Sequence, residues 1–255
     1  MVSSPKQIIL VLAFGIIGGV VAGVFITPLL VRTNFLNSAV ILSKVLNTQT
    51  VTQVQKEVIT VPSSDYFSEA IKKIDPSVAA IQSFSGGQLV RSGSGIVLTR
   101  DGLIATTNSI VPADADVFQV FNGGQIYRAK VVFRDYAKNI AIISVPATNF
   151  QVAVFKSGLP NLGQELLVFS KQVKFSKENP FVEEAIVSRI NEGDNAFSIS
   201  AAYDYQLFGS ALLDGEGEVL GIVDFKNQKP SVVFSQSIKG ALSAYLAQSQ
   251  SSQNK

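Results

Sequence analysis

Ser92-Gly93-Ser94-Gly95-Ile96-Val97-Leu98-Thr99-Arg100-Asp101-Gly102-Leu103-Ile104-Ala105-Thr106-Thr107-Asn108 contains the strongest local signal in the chain. Two β-branched apolar runs, Gly95–Thr99 and Leu103–Asn108, flank Asp101-Gly102. That dipeptide suits a tight hairpin, because glycine adopts positive φ without steric cost. Gly93-Ser94-Gly95 precedes a strand and not a helix, so it is not a phosphate-cradling loop. On either side of this hairpin lie further short β-rich runs. They are Val78–Phe84, Val117–Phe121, Ile126–Arg134, Ile140–Val145, Glu165–Ser170, Val182–Ile190 and Phe197–Ala201, then Ala211–Leu213, Val219–Phe225 and Ser231–Phe234. Helical spacing is confined to Tyr66–Ile74, which stops before Pro76, and to a closing segment Ile238–Leu246. About a dozen short strands with so few helices predict an all-β barrel or sandwich of roughly 180 residues.

The 255 residues are 47% hydrophobic and 16% charged, which is too apolar for a disordered chain. A net charge of +2, with Lys and Arg scattered, gives no basic stripe, so no nucleic-acid partner is expected. There is no cysteine and no histidine. The first absence excludes disulfides and thiolate metal sites; the second removes the imidazole that serine and cysteine hydrolases ordinarily use as a base. No cofactor or metal is expected. In the acidic turn, Asp214, Glu216 and Glu218 lack calcium-loop spacing and are expected to be solvated. Glu183 and Glu184, adjacent on a strand, point to opposite faces and form no acid–base pair.

Ile8 to Val31 is apolar without one charge. As a helix it is about 36 Å long, enough to span a ~30 Å hydrocarbon core, and it is too long for the apolar core of a cleaved signal peptide. The expected order is therefore a cytoplasmic head (1–7), a transmembrane helix (8–31), a stalk (32–65), the β domain (66–247) and a disordered tail (248–255). The protein is expected in the plasma (inner) membrane as a single-pass chain with its domain extracytoplasmic. Gly15, Gly19 and Gly23 fall on one helix face, where two backbones can approach closely.

Several segments resemble the HtrA/DegP branch of the trypsin-like serine proteases. Ser92–Asn108 is similar to the family's glycine-rich strand, DG turn and T-N strand. Tyr127-Arg128-Ala129-Lys130-Val131-Val132 with Ile140-Ala141-Ile142-Ile143-Ser144-Val145 is similar to its "AKVV…D-ALLKV" stretch. Ala185-Ile186-Val187-Ser188 looks like its "GIVS" strand. Gly209, Ala211, Leu212 and Gly217-Glu218-Val219-Leu220-Gly221-Ile222 resemble the strands around its nucleophile. The ordered set covers residues 66–247. It implies two six-stranded β-barrels with the active site between them, followed by the C-terminal helix. Members often carry a C-terminal PDZ domain and commonly form trimers; no PDZ domain is expected here.

The same register places Ser109 where the family has its general base, Asn139 where it has the orienting aspartate, and Phe208 where it has the nucleophile. Gln206 stands where a glycine opens the oxyanion loop. The resemblance thus implies a degenerate triad. The fallback nucleophile is Ser210, two residues from Phe208, with Lys138 as the nearest lysine to the orienter position for a Ser–Lys pair. The expected role is binding of protein or unfolded peptide, or assembly with copies of itself or active HtrA relatives. A serine endopeptidase with an unorthodox nucleophile is the alternative.

Overall fold

The computed structural model describes residues 63–191 and 196–253, all within one compact unit, Thr60–Lys255. The span expected at 8–31 and the stalk to residue 62 lie outside the described residues. Among the described residues no helix is long and apolar enough to cross a membrane.

Helix α1 (Ser63–Ile74) leads into twelve strands. The first six are β1 (Val78–Ser85), β2 (Gln88–Val97), β3 (Leu103–Thr106), β4 (Val117–Asn122), β5 (Gln125–Asp135) and β6 (Ile140–Ser144). They form a closed barrel in the order β1-β2-β3-β6-β5-β4, sealed where β4 returns to β1. The second six are β7 (Glu165–Lys174), β8 (Lys177–Asn191), β9 (Ala196–Ile199), β10 (Ser210–Leu213), β11 (Val219–Lys226) and β12 (Lys229–Phe234), ordered β12-β11-β10-β7-β8-β9. This second barrel is completed by side chains. Its edge strands β9 and β12 meet through Phe197 and Phe234, whose rings pack edge-to-face at 5.9 Å.

Alternation along the strands sorts the apolar residues into three layers. On β6, Ala141 and Ile143 fill the first barrel, while Ile140 and Ile142 face the layer between the barrels. On β7, Leu166 and Val168 fill the second barrel, while Leu167 and Phe169 join the middle layer. Ala70 and Ile74 of α1 and Ile238 and Ala241 of the closing helix α2 (Ser235–Gln253) cap that layer.

Three expectations need correction. First, β2 begins at Gln88, not Gly95: Arg91–Ser94 pair with Ser83–Ala80, and the glycines here are strand residues at close contacts. Second, β7 and β8 form one long hairpin that turns at Phe175-Ser176. Both residues have positive φ, 51° and 59°, in a turn without the glycine or asparagine that signals it in sequence. Third, the segment expected to be a disordered tail from Gln248 is helical through Gln253. Nothing after Gly240 breaks the helix, and the Ser249 and Ser251 hydroxyls donate back to carbonyls of the preceding turn.

The acidic turn between β10 and β11 is also not simply solvated. Asp214 is buried, accepts the Glu216 and Glu218 N–H groups, and holds Lys156 Nζ at 2.5 Å. The same ammonium lies 3.7 Å from Glu216 and from Glu218, so the cation among these three carboxylates is a lysine. The Tyr66 ring covers Gly215, where a Cβ would collide with it.

The hydrogen bond to Asp214 raises the Lys156 ammonium above its ordinary 10.5, outweighing burial, and the carboxylate charges add to it. Burial, followed by the Glu216 and Asp214 charges, raises the Tyr66 phenol above 10.0. Both groups hold their protons more tightly in the folded state. Their contribution is complete below about pH 10 and fades as pH rises through the folded values. Melting temperatures measured from about pH 9 to 11.5 are expected to fall more steeply for the wild type than for a Tyr66→Phe, Lys156→Met variant. Parallel curves would remove this turn from the alkaline transition.

Candidate functional site

Between the barrels, three loops converge on two residues of β11. After β3 the chain turns at Thr107–Ile110, with Ile110 N–H donating to the Thr107 carbonyl, and this turn presents Ser109. The β5–β6 turn ends at Asn139, whose φ of 56° is a left-handed conformation that asparagine tolerates. From the second barrel, the single helical turn Tyr205–Leu207 delivers Phe208.

Ser109 Oγ and Asn139 Nδ2 both donate to Asp224 Oδ2, each at 2.5 Å, and Phe225 N–H donates to Asp224 Oδ1 at 2.7 Å. Thr107 Oγ1 lies 2.7 Å from Ser109 Oγ. Since the Ser109 proton points to Asp224, Thr107 is the donor of that second bond. Asn139 Oδ1 accepts the Asn108 N–H at 3.2 Å, which fixes the amide with its nitrogen toward Asp224. Asp224 is buried, and among the described residues no Lys or Arg forms an ion pair with it. Its charge is balanced by hydrogen bonds alone.

Phe208 packs on the neighbouring residue of the same strand. The Phe208 and Phe225 rings are 5.3 Å apart, and Tyr203 meets both edge-to-face, at 6.1 and 5.2 Å. Phe208 also rests against the core of the first barrel. All three positions marked by the resemblance are therefore brought together, Ser109 and Asn139 on Asp224 and Phe208 on Phe225.

The remaining candidates are placed elsewhere. Ser210 pairs with Val223 in the β10–β11 ladder, and its hydroxyl is fully buried without a hydrogen-bond partner. Lys138 is exposed and lies 3.9 Å from Asp135. Glu183 accepts the Ala202 N–H, while Glu184 faces solvent from the opposite side of β8.

Acyl transfer on this fold stabilises its oxyanion with two backbone N–H groups, that of the nucleophile and that of the residue two before it. The second corresponds to Gln206. Its N–H donates to Asp204 Oδ1 at 2.8 Å, Asp204 capping the helical turn. The turn is pinned further by Gln172, which donates to the Gln206 carbonyl and accepts from Ser92.

Asp224, Asp204, Tyr203 and Phe225 were not singled out from sequence. The available signal for Asp224 was a carboxylate ending the apolar run Val219–Val223, a place where it must be buried and hydrogen-bonded.

Comparison with known proteins agrees with this architecture. A family model described as trypsin-like peptidase domain matches residues 93–222. Serine protease HTRA1B of Danio rerio is 27% identical over 177 residues, which cover 64% of this chain and 37% of that protein. Serine endoprotease DegS of Haemophilus influenzae is 23% identical over 175 residues, covering 61% and 51%. The chain thus spans between about a third and a half of the length of these curated relatives. The crystal structure of a serine endoprotease from Yersinia pestis superposes with a TM-score of 0.61 at 20% identity, over 71% of this chain and 66% of that one.

Two substitutions separate the stabilising from the strained parts of this site. Asp224→Ala leaves the Ser109 and Asn139 donors without an acceptor and is expected to cost about 2–3 kcal/mol in urea unfolding. Ser210→Ala removes a hydroxyl that already lacks a partner, so it is expected to be neutral or stabilising by about 1 kcal/mol. The reverse order would mean that the site's polar network is drawn wrongly.

Proposed function

This chain belongs to the trypsin-like peptidase domain family, and from that premise we propose that it is a catalytically inactive, HtrA-like member that binds or scaffolds protein without cleaving it. The observation that carries the reading is the mutual engagement of the three triad positions. Ser109 and Asn139 donate to Asp224, and Phe208 closes an aromatic cluster with Phe225 and Tyr203.

Each step of acyl transfer then lacks its agent. Phe208 carries no nucleophilic atom. The group facing Ser109 is a carboxylate, a far weaker base than imidazole, and Asn139 has no imidazolium to stabilise. Ser210 is buried and faces no base. The Gln206 N–H already serves Asp204 and is not free to receive an oxyanion. Losing a key member of such a triad costs about 10⁶ in kcat in subtilisin, so retention of the fold does not imply retention of hydrolysis.

Similarity to serine endoproteases makes protein or unfolded peptide the expected ligand class. Assembly with further copies or with active relatives is the second use of the same surface. In this proposal residues 8–31 anchor the chain in the inner membrane and hold the domain on the extracytoplasmic side.

Hydrolysis of an unfolded protein substrate by the purified full chain tests the reading, with Ser210→Ala and Ser109→Ala variants beside it. All three are expected to remain at background. Cleavage by the wild type that either variant abolishes would show an active endopeptidase and sink the proposal.

A further inference from the structure

Strand β5 changes partners halfway along. Residues 125–129 pair with β4, ending at Ala129 opposite Phe118, and residues 130–135 pair with β6, beginning at Lys130 opposite Ser144. Among the described residues, the β4 side of residues 130–135 therefore has no strand beside it. Over this handover lies a groove of about 790 Å³. Consecutive residues 128–132 line it, and so does Arg134. Its lining takes residues from both sides of β5, Ala115, Asp116 and Phe118 toward β4 and Ser144 and Pro146 toward β6, so the groove straddles the point where the strand changes partners. No residue of α2 lines it, and neither do Ser109, Asn139 or Phe208.

The edge is basic. Arg128, Lys130 and Arg134 line the groove against the single carboxylate of Asp116, so the lining carries three positive charges and one negative, a net +2. Among the described residues none of the four is in an ion pair. Arg134 donates only to the neutral Asn108 side chain, at 3.1 Å. Between the charges, Phe118 and Val131 supply half-buried apolar contact.

We propose that this edge is a docking site for an extended acidic peptide segment of another protein, which adds to β5 as a strand. The backbone groups that residues 130–134 turn toward the β4 side provide main-chain hydrogen bonds, and the side-chain contacts provide selection. About five residues at ~3.3 Å each fit alongside, with acidic side chains toward the cations and small apolar ones toward Phe118 and Val131. Charges on an open edge also repel unwanted strands. A net basic edge repels basic strands and favours the acidic strand as the one it admits. The groove gives the binding reading a surface outside the cleft, and it does not depend on whether the cleft cleaves.

A fluorescein-labelled hexapeptide of alternating valine and glutamate tests this against the full chain in a neutral detergent, read by fluorescence anisotropy. Saturable binding is expected, at least tenfold weaker for an Arg128→Glu, Lys130→Glu variant whose melting temperature is unchanged. The valine–lysine counterpart is expected not to bind. Two N-methylated forms of the acidic peptide, blocking alternate sets of amides, distinguish strand addition from plain charge attraction. One is expected to lose binding and the other to keep it within about twofold, since only one set of amides faces β5. No saturable binding, equal binding of the lysine peptide, indifference to charge reversal, or equal behaviour of both methylated forms each overturns the proposal. Hydrolysis by the cleft leaves it untouched, and failure here leaves the inactive reading standing.

Discussion

Ser94 joins the two barrels through its N–H and its hydroxyl, and its carbonyl ties in β3. Its N–H donates to the Phe208 carbonyl at 2.9 Å, and its carbonyl accepts from Thr106 Oγ1 at 2.8 Å. Its hydroxyl donates to the Lys171 carbonyl and accepts the Lys171 N–H, both at 2.9 Å. The backbones meet so closely that side chains are excluded. A Cβ on Gly93 would lie 2.6 Å from the Phe208 carbonyl oxygen, and one on Gly209, whose φ is 76°, would fall on the Ser94 carbonyl. This knot fixes where the cleft can be. Phe208 is attached to it directly, and Thr106 holds the turn that carries Ser109.

Around the knot, the middle apolar layer makes each barrel the other's second face. That is why Ile140–Ile143 is apolar at every position and not only at alternate ones. Such runs, together with the Asp101-Gly102 turn, made most strands and the all-β class legible in the sequence, while the double barrel was implied only by the family resemblance. The positions of Ser109, Asn139 and Phe208 were legible through the register of the resemblance, because Ser109 lies just past one recognisable strand and Asn139 and Phe208 just ahead of two others. Asp224 was not, since its meaning depends on loops 85 and 115 residues away in sequence. The Phe175-Ser176 turn was hidden too. Its residues adopt positive φ under the constraint of the long β7–β8 ladder, against their own preference. The ends of α2 were misjudged because serine and glutamine suggest a solvated tail, whereas local hydroxyl-to-carbonyl bonds allow the helix to continue.

Polar groups buried between the two barrels are satisfied from within the chain. A buried carboxylate without an ion-pair partner is costly unless its lone pairs are occupied. Asp224 has three donors, from the β3 turn, the β5–β6 turn and its own strand. The first two come from the other barrel, so the network acts as a cross-strut. On the other side of β11, the three rings of Tyr203, Phe208 and Phe225 bury apolar surface in space that a peptide would otherwise enter. Ser109 and Asn139 each spend a donor on the same Asp224 oxygen.

The two kinds of residue in this interface also answer to different constraints. Gly93 and Gly209 face the other barrel's backbone, and Gly95 and Gly221 face neighbours in their own barrels, all at distances that admit no Cβ, so their identity is dictated by packing of the fold and is independent of any reaction. They are also part of what makes the sequence resemble a protease. Ser109, Asn139 and Phe208 project into the cleft, where replacing a side chain changes the chemistry while the backbone contacts can stay in place. Sequence similarity across residues 93–222 therefore reports on the first set. Hydrolysis would be decided by the second, and Asp224 shows how polar side chains at two of those places are held by one further residue on the facing strand.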